Sequence, residues 1–351
     1  MKIEFIKGNE AVIKAAIIAG CDCYFGYPIT PASEIAQAAS YYMPLFNRTF
    51  IQAESEVAAI NMVYGAASAG SRVMTASSGP GISLKQEGVS YIAGAELPCV
   101  IVDVTRAGPG LGNIWPEQGD YNQLVKGGGH GNYKCIVLAA NSAQEMADFT
   151  FLSFELADKY RIPVYLLSDA YIGQMMEPVK FPEEVKNYDK NEKKDWATLA
   201  NEETRKNLVT SIHMNTKSME EHNIKLQNKY STIQENEERV EFYNTDDAEY
   251  IFISYGITSR VVMSAVDELR QLGIKAGLLR PLTLWPHPIK ALEKILPQTK
   301  KFIVVECSNG QLRDDISLFT KSQKPILLYN RMGGAVPSVK EVVNFTKEII
   351  S

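Results

Sequence analysis

The sequence predicts an α/β protein: a doubly wound parallel sheet over residues 1–178 and a smaller α/β domain over 246–351, separated by a polar, partly helical excursion over 179–245. Three observations predict it. Short apolar runs alternate with helix-length stretches in both halves of the chain, the order of strand–helix–strand units. One run, Cys99–Thr105 (CVIVDVT), is nearly all apolar, as in a parallel strand covered on both faces. Between the halves the composition turns to Lys, Glu, Asn and Asp, with few strong apolar runs.

Taken in order, Ile3–Ile6 reads as a strand and Asn9 as the cap of a helix over Glu10–Ala19 that Gly20 stops. Cys23–Gly26 is a strand. In YPITPASE, residues 27–34, Pro28 and Pro31 forbid regular structure, so Ile29 and Thr30 ride on a stiff loop. At the C-terminal end of a strand such a loop is either a ligand platform or a proline-punctuated connector. Ser33 is the expected cap of a helix over Glu34–Tyr42.

Gln52–Gly81 (QAESEVAAINMVYGAASAGSRVMTASSGPG) organises the chain: a helix, a turn, a strand over Arg72–Ala76 and a glycine-rich loop over Ser77–Gly81. The helix is so rich in Ala and Gly that another element must lie close against it. Glu54 and Glu56 fall in its first turn. Residues three, four and seven apart share a helix face. From Glu56 that face carries Ala59, Ile60, Val63 and Ala67; from Glu54 it carries Val57, Ala58, Asn61 and Gly65. Glu56 therefore heads the drier stripe. First-turn acids are common because the helix dipole favours them by ~0.3–1 kcal/mol. The alternative is a buried carboxylate that bonds a ring nitrogen of a cofactor, where burial favours proton exchange near neutral pH.

Further helices are expected over Ser83–Ala95 and Ala143–Tyr160, and strands over Ile136–Ala139 and Val164–Leu167. Arg106, just after the apolar strand, is an anion clamp or a surface arginine; its planar fork suits a carboxylate. The loop from there to Tyr133 is too long for a mere connector. Lys206–Arg239 reads as one or two polar helices. The second half repeats the alternation, with strands at Tyr250–Ser254, Lys275–Leu279, Lys301–Glu306 and Ile326–Leu328.

Composition narrows the classes. A net charge of -5 gives no basic footprint for nucleic acid or an anionic membrane, and no apolar run approaches the ~20 residues that span a bilayer. The N-terminus lacks the apolar core of a signal peptide, so a cytoplasmic chain is expected. Five cysteines, without a framework spacing, read as free thiols. The four histidines show no metal-ligand spacing. The Ser77–Gly81 loop matches neither phosphate-binding glycine fingerprint.

YPITPASE, the QAESEVAAINMVYGAASAG helix, TASSGPGISLKQEG, AGAELP and TRAGPG together resemble the 2-oxoacid:ferredoxin oxidoreductases. The likeness is to the subunit that joins a thiamine-pyrimidine domain to a transketolase C-terminal-like domain, and RPLTLWP and VVECSNGQL fit the latter. It covers the chain except the excursion. Among the branches, GAELPCVIVDVTRAGPGLGN looks most like the 2-ketoisovalerate (3-methyl-2-oxobutanoate) subunit, with the 2-oxoglutarate branch next and pyruvate also possible.

The resemblance implies oxidative decarboxylation of a 2-oxoacid with coenzyme A, giving acyl-CoA, carbon dioxide and reduced ferredoxin. It implies that Glu56 bonds the pyrimidine of thiamine diphosphate, that Thr30 and Arg106 hold the substrate carboxylate, and that Pro28, Ile29, Ser77, Ser78 and Gly79 line the cofactor cleft. The family's GDG motif for diphosphate and magnesium is not in this sequence, and neither are cysteine clusters for iron–sulfur centres. The diphosphate half, the Mg ion and the clusters are thus expected on partner subunits. A transketolase-like carboligase and a non-catalytic assembly subunit are the alternatives from other classes.

Overall fold

The computed structural model describes residues 2–182 and 194–350. The chain opens with β1 (Lys2–Lys7), α1 (Gly8–Ile18), β2 (Cys23–Gly26), α2 (Ser33–Leu45), β3 (Thr49–Gln52), α3 (Glu56–Ser68), β4 (Val73–Ser77), α4 (Gly79–Gly94) and β5 (Cys99–Thr105). A long loop, with a single π-helical turn at Gln123–Gly127, leads to β6 (Ile136–Ala139), α5 (Ala143–Tyr160), β7 (Pro163–Asp169), α6 (Ala170–Gln174) and β8 (Met176–Phe181). Then follow α7 (Thr216–Asn236), β9 (Val240–Tyr243), β10 (Tyr250–Ile253), α8 (Gly256–Gln271), β11 (Ala276–Pro281), β12 (Thr283–Trp285), α9 (Ile289–Ile295), β13 (Lys301–Glu306), α10 (Gln311–Phe319), β14 (Ile326–Asn330) and α11 (Val339–Ile350).

Seven strands form the larger sheet in the order β12-β6-β7-β5-β4-β2-β3. All pairs are parallel except β12 against β6. Every residue of the central β4, β5 and β7 is buried, which is why these strands read as continuous apolar runs. The smaller sheet runs β14-β13-β10-β11-β9, with β9 antiparallel. Among the described residues no helix is long and apolar enough to cross a membrane.

Several expectations need correction. β1 does not start the parallel sheet: it pairs antiparallel with β8 in a separate ribbon, where Ile6, Val179 and Phe181 pack on alanines of α1 and α5. Asn9 does not cap α1. The helix starts at Gly8, and Asn9 is wholly buried, donating from Nδ2 to Pro31 O at 2.9 Å. Ser33 is likewise inside its helix, after Ala32 in the cap position. α4 begins at Gly79, four residues before the expected Ser83, so most of the glycine loop is the helix's first turn.

The expected excursion, 179–245, includes 183–193, which lie outside the described residues. In the rest of it, α7 buries Leu226, Tyr230 and Ile233, one stripe at i, i+4 and i+7. The Tyr230 ring meets Trp285 edge-on, with centroids 5.8 Å apart. β9, still within 179–245, is an edge strand of the smaller sheet. RPLTLWP also divides differently: Thr283–Trp285 crosses to the larger sheet. Arg280, 4% exposed, fastens this exchange, reaching Glu145 of α5 at 2.8 Å and Glu241 of β9 at 2.6 Å.

The close neighbour demanded by the alanine-rich α3 is α4. A Cβ on Gly88 of α4 would fall 2.5 Å from Ile60 Cγ2, so the glycine is a socket for Ile60. Ile60 is β-branched and 1% exposed and has little room to turn. Gly88→Val should therefore destabilise the protein by about 1–3 kcal/mol. Adding Ile60→Ala should recover part of that loss; urea unfolding of the two variants checks both, and an unchanged midpoint for Gly88→Val would refute the packing argument.

Candidate active site

In a parallel sheet the strands all deliver their C-terminal loops to one edge, and here that edge gathers the start of α3, the end of β4, the start of α4 and the residues after β5. Ser55 caps α3, its Oγ accepting from Ala58 N at 3.1 Å. Glu54 precedes the cap and is exposed, whereas Glu56 is 6% exposed. Below Glu56 the stripe Ala59, Ile60, Val63 and Ala67 is buried throughout. The Glu56 carboxyl lies against Gly81 of α4. A Cβ there would be 2.7 Å from Glu56 Oε1 and 2.2 Å from Ser77 Oγ, so glycine alone admits the two side chains together.

Ser77 and Ser78 are wholly buried, and their hydroxyls have no hydrogen-bond partner; Arg106 Nε is also buried and unpartnered. A buried polar group left unpaired costs ~1–3 kcal/mol. Three such groups around the head of α4 are what the polar edge of a bound ligand would satisfy. With the dry carboxyl of Glu56 the two serine hydroxyls fit an aminopyrimidine, which offers ring nitrogens and an exocyclic amine, and Arg106 Nε is a donor for an anion in the adjoining cleft that Arg106 lines.

Arg106 donates from Nη1 to Thr30 O at 2.8 Å and from Nη2 to Leu111 O at 3.1 Å. It thus grips the YPITP loop by its main chain, while Asn9 holds the same loop through Pro31 O. Pro28 and Thr30 are exposed on that loop and Ile29 is half-buried. Beside Arg106 opens a cleft of about 640 Å³. Gly79, Pro80 and Ser83 of α4 form one wall, and Ala107–Gly110, Glu117, Gly119 and Asp120 a second. Ser308, Asn309, Gln311, Met332 and Gly333, from beyond the smaller sheet's strands, form the third. The expected residues therefore fall in two adjoining groups. Gly79 and Arg106 line the cleft, with Thr30 on Arg106; Glu56 and Ser77 meet at Gly81, and Ser78 joins them to Gly79 along the chain.

The long loop after β5 is ordered by the smaller sheet. Glu117, buried, accepts from Gly108 N at 2.8 Å and Gly333 N at 2.9 Å. Gln118 donates to Tyr255 O at 2.9 Å and accepts from Cys307 N at 2.6 Å. Tyr121 donates to Asp315 at 2.8 Å, and Lys126 pairs with the same carboxylate. The Gly127–Gly129 run packs away from the cleft, where Gly128 and Gly129 lie against Gln86.

Two carboxyls join the expected site residues: Asp103 of β5, and Asp120 of the long loop that the sequence marks as more than a connector. Burial, and then the neighbouring Asp120, hold Asp103 well above the usual carboxylate range. Burial also pushes Asp120 up to about 6, with Glu117 adding to the rise and Arg106 opposing it. The pair accordingly retains a proton into the neutral range. The available signal was Asp103 itself, an acid in an otherwise apolar strand. In the third wall Ser308, Asn309 and Gln311 belong to the VVECSNGQL segment, but nothing local ties them to the cleft, which residues 308–333 reach through the packing of the two sheets. Of the basic residues near the motifs, Arg106 alone lines the cleft. Lys85 is wholly buried behind it and Lys126 is committed to Asp315.

Comparison with known proteins identifies the family. Residues 14–242 match the family described as "Pyruvate flavodoxin/ferredoxin oxidoreductase, thiamine diP-bdg". Residues 248–342 match "Pyruvate:ferredoxin oxidoreductase core domain II". The chain is 58% identical to the ketoisovalerate oxidoreductase subunit VorB of Methanothermobacter thermautotrophicus, over 99% of this chain and 98% of that one. It is 36% identical to the 2-oxoglutarate synthase subunit KorA of Methanocaldococcus jannaschii, over 97% and 98%. Among solved structures, a 2-oxoglutarate:ferredoxin oxidoreductase from Magnetococcus marinus, with 2-oxoglutarate, coenzyme A and succinyl-CoA bound, superposes with a TM-score of 0.87 at 28% identity. That match takes in 99% of this chain and 65% of the other. A split-gene transketolase (TM-score 0.63, 13% identity, 98% of each chain) shares the fold. The chain belongs to the 2-oxoacid:ferredoxin oxidoreductase family, as a subunit that carries its thiamine diphosphate-binding domain.

Proposed function

We propose that this chain is the pyrimidine-binding subunit of an enzyme that oxidatively decarboxylates a branched-chain 2-oxoacid, 3-methyl-2-oxobutanoate, to acyl-CoA and carbon dioxide and passes the electrons to ferredoxin. The observation that carries this reading is the buried Glu56 carboxyl set against Gly81, beside unpartnered serine hydroxyls. Bound thiamine diphosphate supplies the carbon nucleophile and the electron sink. Glu56 holds and exchanges a proton with a pyrimidine ring nitrogen, in a pocket kept dry by the α3–α4 contact. Ser77 and Ser78 orient the ring's polar edge. Arg106 has Nε and further N–H groups beyond its two main-chain contacts, and with Thr30 it clamps the substrate carboxylate. In this reading Mg, the diphosphate contacts and the iron–sulfur clusters belong to partner subunits. Five free thiols accord with a cytoplasmic assembly.

The charges in the cleft favour a monocarboxylic substrate. A 2-oxoglutarate side chain needs a second cation. The cleft lining offers Arg106 alone, facing Glu117 and Asp120. The names of the relatives that are 58% identical point the same way. The 2-oxoglutarate reading draws on KorA and the Magnetococcus marinus enzyme, and a panel of 2-oxoacids with a viologen acceptor separates the two.

Two substitutions in the assembled complex test the roles. Glu56→Gln should lower turnover by about 10²–10⁴-fold, since it removes a working acid–base group; unchanged turnover would exclude Glu56 from the chemistry. Arg106→Ala should raise the apparent KM for the 2-oxoacid by about 10- to 100-fold, the equivalent of the ~1.5–3 kcal/mol carried by a hydrogen bond to a charged group. If neither KM nor turnover moves, the carboxylate binds elsewhere.

A further inference from the structure

Lys85 is a charged group for which the proposed mechanism has no use. It lies one turn after Gly81 on α4, is 0% exposed, and is one of the largest wholly buried side chains. Its Nζ donates to Thr75 Oγ1 of β4 at 3.2 Å and reaches Glu56 O at 3.5 Å. Both partners are neutral. Burying a cation on neutral partners is unfavourable, and a methionine would fill the same volume without that penalty. The charged group that acts on Lys85 is Glu56. Gly81 and Lys85 thus meet one residue from one helix face: the glycine lies against the Glu56 carboxyl, and the lysine, one turn on, reaches the Glu56 carbonyl.

We propose that Lys85 is a positioning residue for Glu56, anchoring its main chain at the head of α3 and supplying the buried positive charge against which its carboxyl exchanges a proton. This rests on the reading of Glu56 as the proton-exchanging group. Burial pushes the Lys85 ammonium down to about 8, with Glu56 opposing the fall. Around neutrality Lys85 therefore keeps its charge, but only just. The unfolded chain holds this proton to higher pH than the folded one does. Stability should accordingly rise with pH from about 8 towards the ordinary lysine value of 10.5.

The test uses the assembled complex with K85M, K85Q and E56Q, assayed with 3-methyl-2-oxobutanoate and a viologen acceptor from pH 5.5 to 9. K85M is expected to move the acid limb of turnover up by about one pH unit, the size of a nearby buried charge, with KM almost unchanged. K85Q keeps a donor for Glu56 O and loses the charge, so it should follow K85M. In thermal scans the wild type should gain stability relative to K85M between pH 8 and 10. The proposal is overturned if the K85M profile superposes on that of the wild type, if K85Q restores the wild-type limb, or if the stability difference is flat with pH. An inactive E56Q beside a wild-type-like K85M removes the Lys85 proposal and leaves Glu56 in place. An active E56Q removes the Glu56 reading and the Lys85 role with it.

Discussion

The structure depends on how closely α3 and α4 approach. An ionisable carboxyl can be kept from water only if something small faces it, and α4 presents glycines at 81 and 88 where α3 presents Glu56 and Ile60. The two contacts are one constraint at two heights. Ile60 in its Gly88 socket sets the separation of the helices, and that separation brings Glu56 Oε1 beside Gly81 and Ser77. A bulkier α4 would push α3 outward and wet the carboxyl. The alanines of α3 serve the same end, because they let its buried face sit tight on the sheet.

From this contact the site extends by main-chain fastening. Arg106 and Asn9 hold the YPITP loop by its carbonyls, so the geometry of the loop survives changes in its side chains. Glu117 and Gln118 pin the next loop to the smaller sheet by backbone amides and carbonyls. Asn9, Glu117 and Gln118 are buried and Arg106 is half-buried, and each holds its loop by hydrogen bonds to main-chain groups. The two sheets are also laced together, with β12 crossing to the larger sheet and Arg280 bridging α5 and β9. The cleft is a product of that lacing, since its third wall belongs to the smaller sheet.

The charges follow the same logic. One arginine lines the cleft; Asp103 and Asp120 sit beside it, and burial keeps a proton on the pair. Arg106 is thus the one cation of the cleft lining, and the acids beside it are Asp120 and Glu117, the latter held by the Gly108 and Gly333 amides, which suits a ligand with a single carboxylate. The hydroxyls of Ser77 and Ser78 remain unpaired at the head of α4, a cost that the fold bears where a ligand would remove it.

Hydrophobic period and turn chemistry fixed much of this locally. The phase of Glu56 against Glu54, the strands Cys23–Gly26 and Cys99–Thr105, and Arg106 at a strand end were legible because each depends on residues within a turn or two. The motifs around Thr30, Ser77 and Gly79 were legible only through likeness to a family. Caps were less legible: Asn9 and Ser33 have the right chemistry for helix starts, yet both lie inside their helices, and the Asn9 side chain is taken up by Pro31 O. What the sequence could not determine is the set of contacts between distant segments. The pairing of β1 with β8, the crossing of β12, the burial of Lys85 under Glu56, and the meeting of Asp103 with Asp120 each join elements whose separation along the chain carries no periodic signal. They are decided by which faces remain to be buried once the two sheets have formed, and only the packed structure contains that information.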